Sequence, residues 1–567
     1  MAQSFDVIVI GSGMGGMTTA AALSRLESRV LLLEQAAMIG GLTHTFSRNG
    51  FSWDVGLHYC GTFGHDQFAG RILDWLSGKT IEFRSVGTVY DTLHFPDGFE
   101  ISVACPAEAY KTELKDRFPD NAAEIDAYFE ALLSAEEAGQ MVGAERAMPE
   151  PFRSAHYWWN RRKIERWCSR TTGEVIAKLI TDPKLAAVLS AQWGDYGGRP
   201  EEASFAVHAT IMGHYLECAA YPVGGAGAIA KGLVPVIEAA GGSVRASTAV
   251  SEILVEDGEA VGVRTSSGEE FRAPAVVSAI GAGETVKHLL PEDIRQQDWA
   301  REISTFQPSV CHFEVFLGFE GDIGENGATR ANHWFHESWD TNGGIWSAAE
   351  DEPIRMAFAS FPSLKDPAHD PGPSNQHTGQ MMVLADWSSV AEFADGGAAE
   401  RPAEWSAFKD KIEARLMAFF AEKFPLLAPL VVCHELGTPL ATASFTGHER
   451  RVLRPRDDAA PHAVGRAQRP HAGPRPVSVW PGRHEPRNRR GPCGRHVRCR
   501  GDRSARVPQV PVRHSGPILR RGSAAGQHAR IDRRSRGSGR VRAWSVRASP
   551  GRGALAGARS EPPPPDT

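Results

Sequence analysis

Three glycines and one glutamate near the start of the chain have the spacing of a dinucleotide-binding site. Gly11, Gly13 and Gly16 form G-x-G-x-x-G, and Glu34 follows them. In such a site the glycines allow a tight turn, close approach of the backbone to a pyrophosphate, and close packing of helix on strand. The acid accepts a hydrogen bond from a ribose hydroxyl. The same glycines could form a turn in another kind of α/β protein, so the flanking elements must decide.

The flanking elements are those that the motif requires. Residues 6–10 are a β-branched run typical of a buried parallel strand, and a helical stretch then extends to about Arg25. Residues 29–33 form a second apolar strand, which ends at Glu34. The helix N-terminus supplies unpaired N–H groups and a positive dipole for the phosphates. We therefore predict a βαβ unit that binds a dinucleotide.

The rest of the chain alternates helical and strand patterns. Residues 66–217 are mostly helical, residues 243–280 alternate as strands with a turn at Asp257-Gly258, and residues 300–385 contain further strand-like runs. A further helix is predicted near residues 405–424. This arrangement favours an α/β protein with more than one domain.

Several later motifs accompany the first one. A glycine pair and an F-x-x-x-G-x-x-x-D-x-G-x-H pattern follow Glu34, a glycine-rich turn opens a helix at 221–233, and V-S-A-I-G ends a strand at 277–281. The pair and the pattern consist of Gly40, Gly41, Phe46, Gly50, Asp54, Gly56 and His58. Together these motifs resemble the flavin-dependent phytoene desaturase and retinol saturase superfamily, which includes carotenoid desaturases and carotene isomerases. The resemblance covers roughly the first four-fifths of the chain.

The resemblance implies an α/β flavoprotein whose cofactor is FAD. Its fold would be a Rossmann-like FAD-binding domain of the GR2 flavoprotein type, with an inserted α+β substrate domain. The expected boundaries are 1–75 and 215–290 for the discontinuous FAD-binding domain, 76–214 and 291–448 for the substrate domain, and 449–567 for an aberrant, disordered tail.

The resemblance also implies which residues contact the cofactor. The Gly40-Gly41 region is expected to approach the FAD, and the backbone near Val250 to meet its adenine side. The arginine that usually lies beside the glycine pair is absent, because Ile39 and Leu42 flank it, and this favours the retinol-saturase-like branch. The expected cofactor-binding residues are Gly11, Gly13, Gly16, Glu34, Gly40, Gly41 and Val250.

The implied chemistry requires few catalytic side chains from the protein. A flavin takes or gives a hydride at N5, so the protein must place a substrate C–H over the ring and exclude water. A polyene offers no group for strong acid–base work, so we expect an apolar tunnel and no Ser/His/Asp-type centre, and we assign no catalytic residue. Asp54 and His58 either orient groups near the flavin or satisfy the backbone of their own hairpin, and the sequence leaves both readings open.

Other conspicuous polar groups have ordinary explanations. We expect His208 and His214 to be satisfied helix histidines, although they could line the substrate side. Residues 156–167 interleave aromatic and basic side chains, which favours a helix with tryptophan in the core and arginine in water. The alternative is a membrane-surface helix that admits a lipid-soluble substrate. Cys493 and Cys499 lack a second pair of ligands, so no metal site is predicted.

The composition is that of a soluble globular protein. The chain has 567 residues, of which 42% are hydrophobic and 23% charged, enough for two or three domains. No apolar run is long enough to cross a bilayer. The eight cysteines have no pairing spacing, which predicts free thiols and a cytoplasmic location, with peripheral membrane contact as the open alternative.

Residues 451–567 differ sharply from the rest. They contain 27 Arg, seven acidic residues and no Lys, Phe or Tyr, a net charge of +20, whereas residues 1–450 carry −26. An arginine-rich nucleic-acid arm would explain the charge, but such arms generally mix Lys with Arg. GC-rich coding DNA read out of frame gives this composition.

The reading frame can be tested on the sequence itself. Synonymous codons for Arg450 onward, read one base later, permit G-V-F-Y-G-L-E-T, the shape that these flavoenzymes show after the segment at 437–448. The same offset farther on permits Q-D-V-M-S-P-G-I-A-G-A-L-A-G-G-M, which resembles the last FAD motif of the family. We therefore predict a frameshift after about residue 449, in the gene or in its sequencing. With the tail out of frame, we expect no nucleic-acid partner.

These observations predict an FAD-dependent oxidoreductase that acts on C–C bonds of a hydrophobic isoprenoid or polyene substrate, of the carotenoid desaturase or retinol saturase type. One alternative is a flavin-dependent carotene isomerase. Another is a non-catalytic remnant, because the chain as written lacks the last FAD-contacting segment. The sequence does not separate desaturation from saturation, and it identifies neither the electron acceptor nor the oligomeric state.

Overall fold

The computed structural model describes residues 5–306, 310–348, 352–394 and 401–446. The predicted tail, the candidate frameshift and the cysteines Cys493 and Cys499 lie outside the described residues. The described strands are β1 Val7–Ile10, β2 Val30–Leu33, β3 Thr45–Arg48, β4 Phe51–Asp54, β5 Cys60–Gly61, β6 Phe83–Ser85, β7 Val89–Phe95, β8 Phe99–Ala104, β9 Ala219–Pro222, β10 Ser243–Arg245, β11 Val250–Glu256, β12 Glu259–Thr265, β13 Glu270–Arg272, β14 Val276–Ser278, β15 Cys311–Glu320, β16 Asn332–His336, β17 Met356–Ser360, β18 Gln376–Ala385 and β19 Val431–Gly437.

The described α-helices are α1 Met14–Arg25, α2 Phe68–Ser77, α3 Ala107–Arg117, α4 Ala122–Ala147, α5 Glu150–Cys168, α6 Thr172–Leu179, α7 Pro183–Ser190, α8 Phe205–His214, α9 Gly227–Ala239, α10 Ala282–Glu284, α11 Glu292–Arg295, α12 Asp298–Ser304, α13 Pro362–Lys365, α14 Ala403–Lys423 and α15 Pro439–Thr446. None of the helices in these residues is both long and apolar enough to span a membrane.

A four-stranded parallel sheet in the order β10-β2-β1-β14 carries the first glycine motif. All four residues of β2 are buried, as expected for a strand covered on both faces. One face packs against α1 and α9, and the other against the antiparallel sheet β11-β12-β13. The predicted βαβ unit is confirmed, and so is the turn at Asp257-Gly258 between β11 and β12.

A seven-stranded sheet in the order β19-β15-β18-β17-β16-β7-β8 forms a second framework. Its strands pair antiparallel except for β16 with β7. One face packs on α14 around Phe313, Phe319 and Phe420, which are fully buried. This sheet joins residues 89–104 to residues 311–437, so segments far apart in the chain share one wall.

The expectation that residues 66–217 are mostly helical is wrong for residues 83–104. These residues form β6, β7 and β8, and the turn Pro96–Gly98 joins the last two. The alternating pattern of β8, with Ile101 and Val103 buried, is the period of a strand that is covered on one face. A turn of Pro-Asp-Gly between two such runs is the local signal for a hairpin.

The helices α3–α8 pack with β7 and β8 into the largest buried cluster. Within it, Cys105 and Cys218 form a disulfide, so the prediction of free thiols fails for this pair. Their separation of 113 residues explains why spacing gave no sign of pairing. The fold alone brings the end of β8 next to the start of β9.

Candidate functional site

The glycine loop after β1 is built by contacts that exclude side chains. A Cβ atom on Gly16 would lie 1.8 Å from the Gly11 carbonyl oxygen. Gly11 has φ +92°, and a Cβ there would lie 2.7 Å from Ile280. Gly13 differs, because a Cβ at this position would meet nothing within 4 Å. The loop is therefore tightly packed behind Gly11 and Gly16 and open above Gly13.

Glu34 is fixed against this loop. Its carboxylate accepts hydrogen bonds from the Ser12 amide at 2.8 Å, the Ser12 hydroxyl at 2.7 Å and the Ala36 amide at 2.8 Å. The Ser12 hydroxyl in turn accepts from the Gly40 amide at 3.0 Å. The loop, the acid and the glycine pair therefore form one hydrogen-bonded unit.

Gly41 and Val250 flank the same unit. A Cβ on Gly41, where φ is +55°, would lie 2.8 Å from the Gly13 Cα, so only glycine fits the loop there. The Thr248 amide donates to the Glu34 carbonyl at 2.7 Å, and Val250 begins β11 two residues later. The structure thus brings all seven predicted cofactor-binding residues to one end of the parallel sheet.

This end of the sheet suits a dinucleotide. The N-cap of α1 is Gly13, so no side chain caps the helix, and its first turn holds no acidic residue that would repel a phosphate. The space above Gly13 is open to a pyrophosphate, and Glu34 lines the adjoining cavity. The residues present therefore fit FAD, with the phosphates at the helix N-terminus and a ribose beside Glu34.

A cavity of about 600 Å³ extends from this end of the parallel sheet to the seven-stranded sheet. Glu34, Met38 and Gly41 line its first part. Aromatic and aliphatic side chains dominate the wall on the side of the seven-stranded sheet: Ile211, Phe316, Trp334, Met356, Phe358, Met382 and Leu384. Such a wall suits an apolar ligand rather than a charged one.

Asp54 ties several elements together and is not among the residues that line the cavity. Its carboxylate accepts from the Thr45 hydroxyl, the Tyr221 hydroxyl and, at 2.8 Å, the Ala226 amide. It therefore links β4 to β3, to β9 and to the turn before α9. Burial raises the pKa of Asp54 above its ordinary value, and the three donors oppose that effect.

His58 does line the cavity. Burial, with smaller contributions from Lys365 and His312, lowers its pKa to about 3, so the imidazole is neutral. Its Nδ1 has no hydrogen-bond partner among the described residues, while its backbone carbonyl accepts from Lys365 Nζ at 2.9 Å.

The other two predicted histidines differ from each other. His208 is fully buried, and its ring nitrogens contact the Tyr128 hydroxyl at 2.8 Å and the Tyr196 hydroxyl at 3.0 Å. It is the satisfied helix histidine that the sequence predicts. His214 lines the cavity, and its Nδ1 contacts the Ile211 carbonyl. The helix α8 thus presents only the second of them to the cavity.

Helix α5 contradicts the expectation that its tryptophans are in the core. Trp167 is buried, but Trp158 and Trp159 are 65% and 81% exposed. The pattern was ambiguous because a helix carrying tryptophans in adjacent positions cannot bury all of them on one face.

Sequence reasoning missed a cluster of buried polar residues behind the cavity wall. Tyr59 and Asp195 line the cavity, and Asp91 and Lys365 lie buried behind them. Lys365 donates to the His58 carbonyl and to Ser360 and Asn332, and burial lowers its pKa to about 7. These residues come from distant segments and follow no spaced motif, so only the fold reveals the cluster. No group of three metal-ligating side chains occurs in the described residues.

Comparison with known proteins gives the family. The profile of the family described as Flavin containing amine oxidoreductase matches residues 14–384. The all-trans-retinol 13,14-reductase of Danio rerio is 29% identical over 497 residues, covering 82% of this chain and 81% of the relative. The chloroplastic prolycopene isomerase of Arabidopsis thaliana is 24% identical over 480 residues, covering 81% and 76%.

Solved structures show the same fold. An oxidoreductase from Methanosarcina mazei superposes with a TM-score of 0.54 at 17% identity, covering 80% of this chain and 91% of its own. A putrescine oxidase variant gives 0.51 at 14% identity, covering 77% and 85%. The predicted fold class, FAD cofactor and oxidoreductase activity are confirmed. The chain belongs to the flavin containing amine oxidoreductase family.

Proposed function

We propose that this FAD-dependent oxidoreductase acts on C–C bonds of a hydrophobic polyene of the retinoid or carotenoid class. The observation that carries the proposal is the apolar cavity of about 600 Å³, which extends from the dinucleotide motif to the seven-stranded sheet. A conjugated hydrocarbon is bound by shape and apolar contact, and the walls of Trp334, Phe358 and Leu384 offer both. Relatives named all-trans-retinol 13,14-reductase support the same substrate class.

We further propose that one part of the chain binds the cofactor and another part binds the substrate. Residues 1–75 and 215–290 would bind FAD through Gly11, Gly13, Gly16, Glu34, Gly40, Gly41 and Val250. Residues 76–214 and 291–448 would bind the substrate, and His58 would lie where the two meet. FAD supplies hydride transfer at N5 when bound. The chain holds the cofactor, orients the polyene and excludes water.

The test is a product analysis under anaerobic conditions. Purified protein is loaded with FAD, reduced, and incubated with a panel of retinoids and carotenoids, and products are identified by chromatography and mass. We expect one substrate to gain two hydrogens, or to lose two with oxidised FAD. Met382→Trp, which narrows the cavity, should lower turnover while flavin binding persists, whereas Ala155→Phe on the exposed side of α5 should change neither. A flavin-loaded protein that leaves every polyene unchanged would refute the proposal.

A second reading is redox-neutral isomerisation of a carotene. The observation that favours it is the similarity to prolycopene isomerases, which extends over 76–77% of their length. The same product analysis separates the two, because an isomer has the mass of its substrate. A third reading, a non-catalytic remnant, predicts that the chain as written purifies without flavin absorbance, whereas a frame-restored chain binds flavin.

We also propose that α5 makes peripheral contact with a membrane surface. Phe152 and Trp159 lie two turns apart and are 66% and 81% exposed, and the exposed Arg162 follows one turn later. Cosedimentation with vesicles containing an anionic phospholipid tests this. Trp158→Ala/Trp159→Ala should weaken binding several-fold, and Leu426→Ala, an exposed apolar residue elsewhere, should not. Equal binding by both variants would contradict the proposal.

A further inference from the structure

Asp195 places a carboxyl group in the wall of the cavity, next to the Tyr59 hydroxyl. It ends the short 3₁₀ turn Ala191–Asp195 and is only partly buried, with the cavity beside it. The preceding residue, Gly194, packs so closely that a Cβ there would lie 2.8 Å from the Trp334 ring. The turn is thereby held against the seven-stranded sheet, and Asp195 has a fixed position.

One hydroxyl connects this carboxyl group to a second one. The Tyr59 oxygen lies 3.0 Å from Asp195 Oδ2 and 2.9 Å from Asp91 Oδ2. A phenol has a single O–H, so it can donate to only one of the two carboxyl groups. It can bond to the other only by accepting, which requires that carboxyl group to be protonated. The geometry therefore points to two protons on the Asp195–Tyr59–Asp91 triad, the phenol's own and one on a carboxyl group.

The surroundings decide which carboxyl group holds that proton. Asp91 is fully buried and accepts from Asn332 at 2.9 Å and from Gln192, and Lys365 stands behind Asn332. With the Tyr59 hydroxyl as a third donor, and with a cation nearby, Asp91 is suited to be the carboxylate. Among the described residues Asp195 has a hydrogen bond only to Tyr59. Among the described residues, the titratable groups that act on Asp195 are Asp91 and the tyrosines Tyr59, Tyr90, Tyr196 and Tyr215. Asp195 forms no ion pair there, and Lys365 Nζ lies 5.7 Å from the Tyr59 ring centre.

These conditions favour the neutral form of Asp195. Burial raises its pKa well above the ordinary value, the negative charge of Asp91 adds to that effect, and the Tyr59 hydrogen bond opposes it. A neutral carboxyl group on a cavity wall is a proton donor available to a bound ligand. The sequence assigns no catalytic residue, and this carboxyl group is a candidate acid for a reaction that adds hydrogen.

Resting on the proposed function, we propose that Asp195 is the catalytic acid that protonates the polyene when a C=C bond is reduced. Bound, reduced FAD would supply the hydride, which would form a C–H bond at one carbon of the double bond. The π electrons of that bond take the Asp195 proton at the other carbon, the Asp195 O–H bond breaks, and a carboxylate remains. Tyr59 and Asp91 are positioning residues, because they fix the proton on Asp195.

Glu314 is the competing acid in the same cavity. It is buried, its Oε1 has no partner among the described residues, and His312 Nε2 lies 3.8 Å from Oε2. Burial raises its pKa well above the ordinary value too. It differs from Asp195 because, in the described part of the chain, no tyrosine bridges it to a second carboxylate. The choice between the two acids is decided by parallel variants.

The experiment combines infrared spectroscopy of the full chain with turnover of the reduced, FAD-loaded protein. Asp195→Asn should remove one protonated-carboxyl C=O band and lower product formation at least about 100-fold, the ordinary contribution of a general acid, while flavin binding is unchanged. Glu314→Gln should remove a different band and leave the Asp195 band. Asp91→Asn should make the Asp195 band titrate at lower pH, because the charge that opposes Asp195 ionisation is gone. Asp116→Asn, exposed on α3, is the matched control and should change nothing.

The outcomes separate this inference from the proposed function. If the parent reduces a polyene and Asp195→Asn retains activity within threefold, or only Glu314→Gln abolishes it, the inference is overturned and the proposed function stands. If the parent acts on no polyene, the proposed function fails, and the infrared measurement still decides whether Asp195 carries the proton. A spectrum that Asp195→Asn leaves unchanged overturns the inference in either case. If that variant does not fold, Tyr59→Phe serves instead, and it must shift the Asp195 band.

Discussion

Gly16 shows how a single hydrogen atom in place of a side chain supports a binding site. A Cβ there would overlap the Gly11 carbonyl oxygen at 1.8 Å, so the loop must move to accept one. The adjacent Gly15 is exposed and meets nothing within 4 Å. The two glycines therefore differ in what they contribute, although both lie in the first turn of α1.

We expect Gly16→Ala to lose flavin binding, because displacement of the loop moves the amides that face the pyrophosphate. Gly15→Ala should retain flavin and gain up to about 1 kcal/mol, the difference in helix propensity between the two residue types. Flavin absorbance of the purified proteins and their melting temperatures measure both effects. Equal flavin content in the two variants would contradict this account of the loop.

Lys365 is a second residue whose substitution should have a measurable effect, in this case on stability. It is 3% exposed, donates to the His58 carbonyl at 2.9 Å and to the Ser360 hydroxyl at 2.8 Å, and lies 5.7 Å from the Tyr59 ring centre. Lys365→Met keeps the volume but leaves buried acceptors without a donor and Asp91 without its nearby cation. We expect a loss of roughly 3 kcal/mol in the free energy of unfolding, measured by denaturant titration. Lys178→Met on the exposed side of α6 should lose less than about 0.5 kcal/mol, and a similar loss in both would show that the Lys365 contacts add nothing.

At the scale of elements, local patterns predict much of the fold and little of the cavity. The strands and helix around Gly11–Glu34 follow from burial on both faces of a parallel sheet and from glycine geometry, which act over a few residues. The strands β7 and β8 lie inside a stretch that was predicted to be helical; β7 pairs with β8 across the local Pro96–Gly98 turn, but its other partner, β16, lies more than 200 residues away. The chain brings Asp91, Asp195 and Lys365 together only after such pairings form. Their spacing in the sequence therefore does not predict the cluster.

Helix α8 carries a buried histidine, His208, whose protonation destabilises the folded state. Burial lowers the pKa of His208 to about 3 from an ordinary value of 6.5. The unfolded chain therefore binds a proton that the folded chain does not, so stability is full above pH 6.5 and is lost as the pH falls toward 3.

His208→Gln removes this titration while keeping polar contacts to Tyr128 and Tyr196. We expect its melting temperature to fall less than that of the parent between pH 7 and pH 5. Identical slopes for the parent and His208→Gln would contradict the assignment of a buried, neutral His208.

The Cys105–Cys218 disulfide joins the end of β8 to the start of β9 across 113 residues. Closing so long a loop restricts the unfolded chain, and disulfides of this kind contribute typically 2–4 kcal/mol. A reductant should therefore lower the melting temperature of the parent. The Cys105→Ser/Cys218→Ser variant should be less stable and insensitive to reductant, and a parent that melts alike in both conditions would show that the bond does not form.

At the scale of the whole molecule, the cavity exists because two sheets of different construction face it. The parallel sheet supplies the dinucleotide end and the seven-stranded sheet supplies the apolar wall, and together they make one space that neither makes alone. The family resemblance implied an FAD site joined to an apolar substrate site. It did not imply the Asp195 carboxyl group in the cavity wall, because the expected polyene chemistry gave no reason to predict an acid there.

Our proposal of a frameshift after about residue 449 makes a prediction about the entire chain. A frame-restored protein should bind close to one FAD per chain, whereas the protein as written should bind much less, because the last predicted FAD-contacting segment is missing from it. Flavin absorbance per mole of protein measures the difference. Equal flavin content would contradict the proposal, and so would genomic sequence with an unbroken frame across residues 445–455.

The most direct test of the central claim is the mass of the product that the reduced, FAD-loaded protein forms from all-trans-retinol or a carotene without oxygen. We predict a product two mass units heavier, formed in proportion to the flavin oxidised, or a product two mass units lighter when the protein holds oxidised FAD instead. A protein that holds FAD, oxidises amines and returns each polyene unchanged would contradict it.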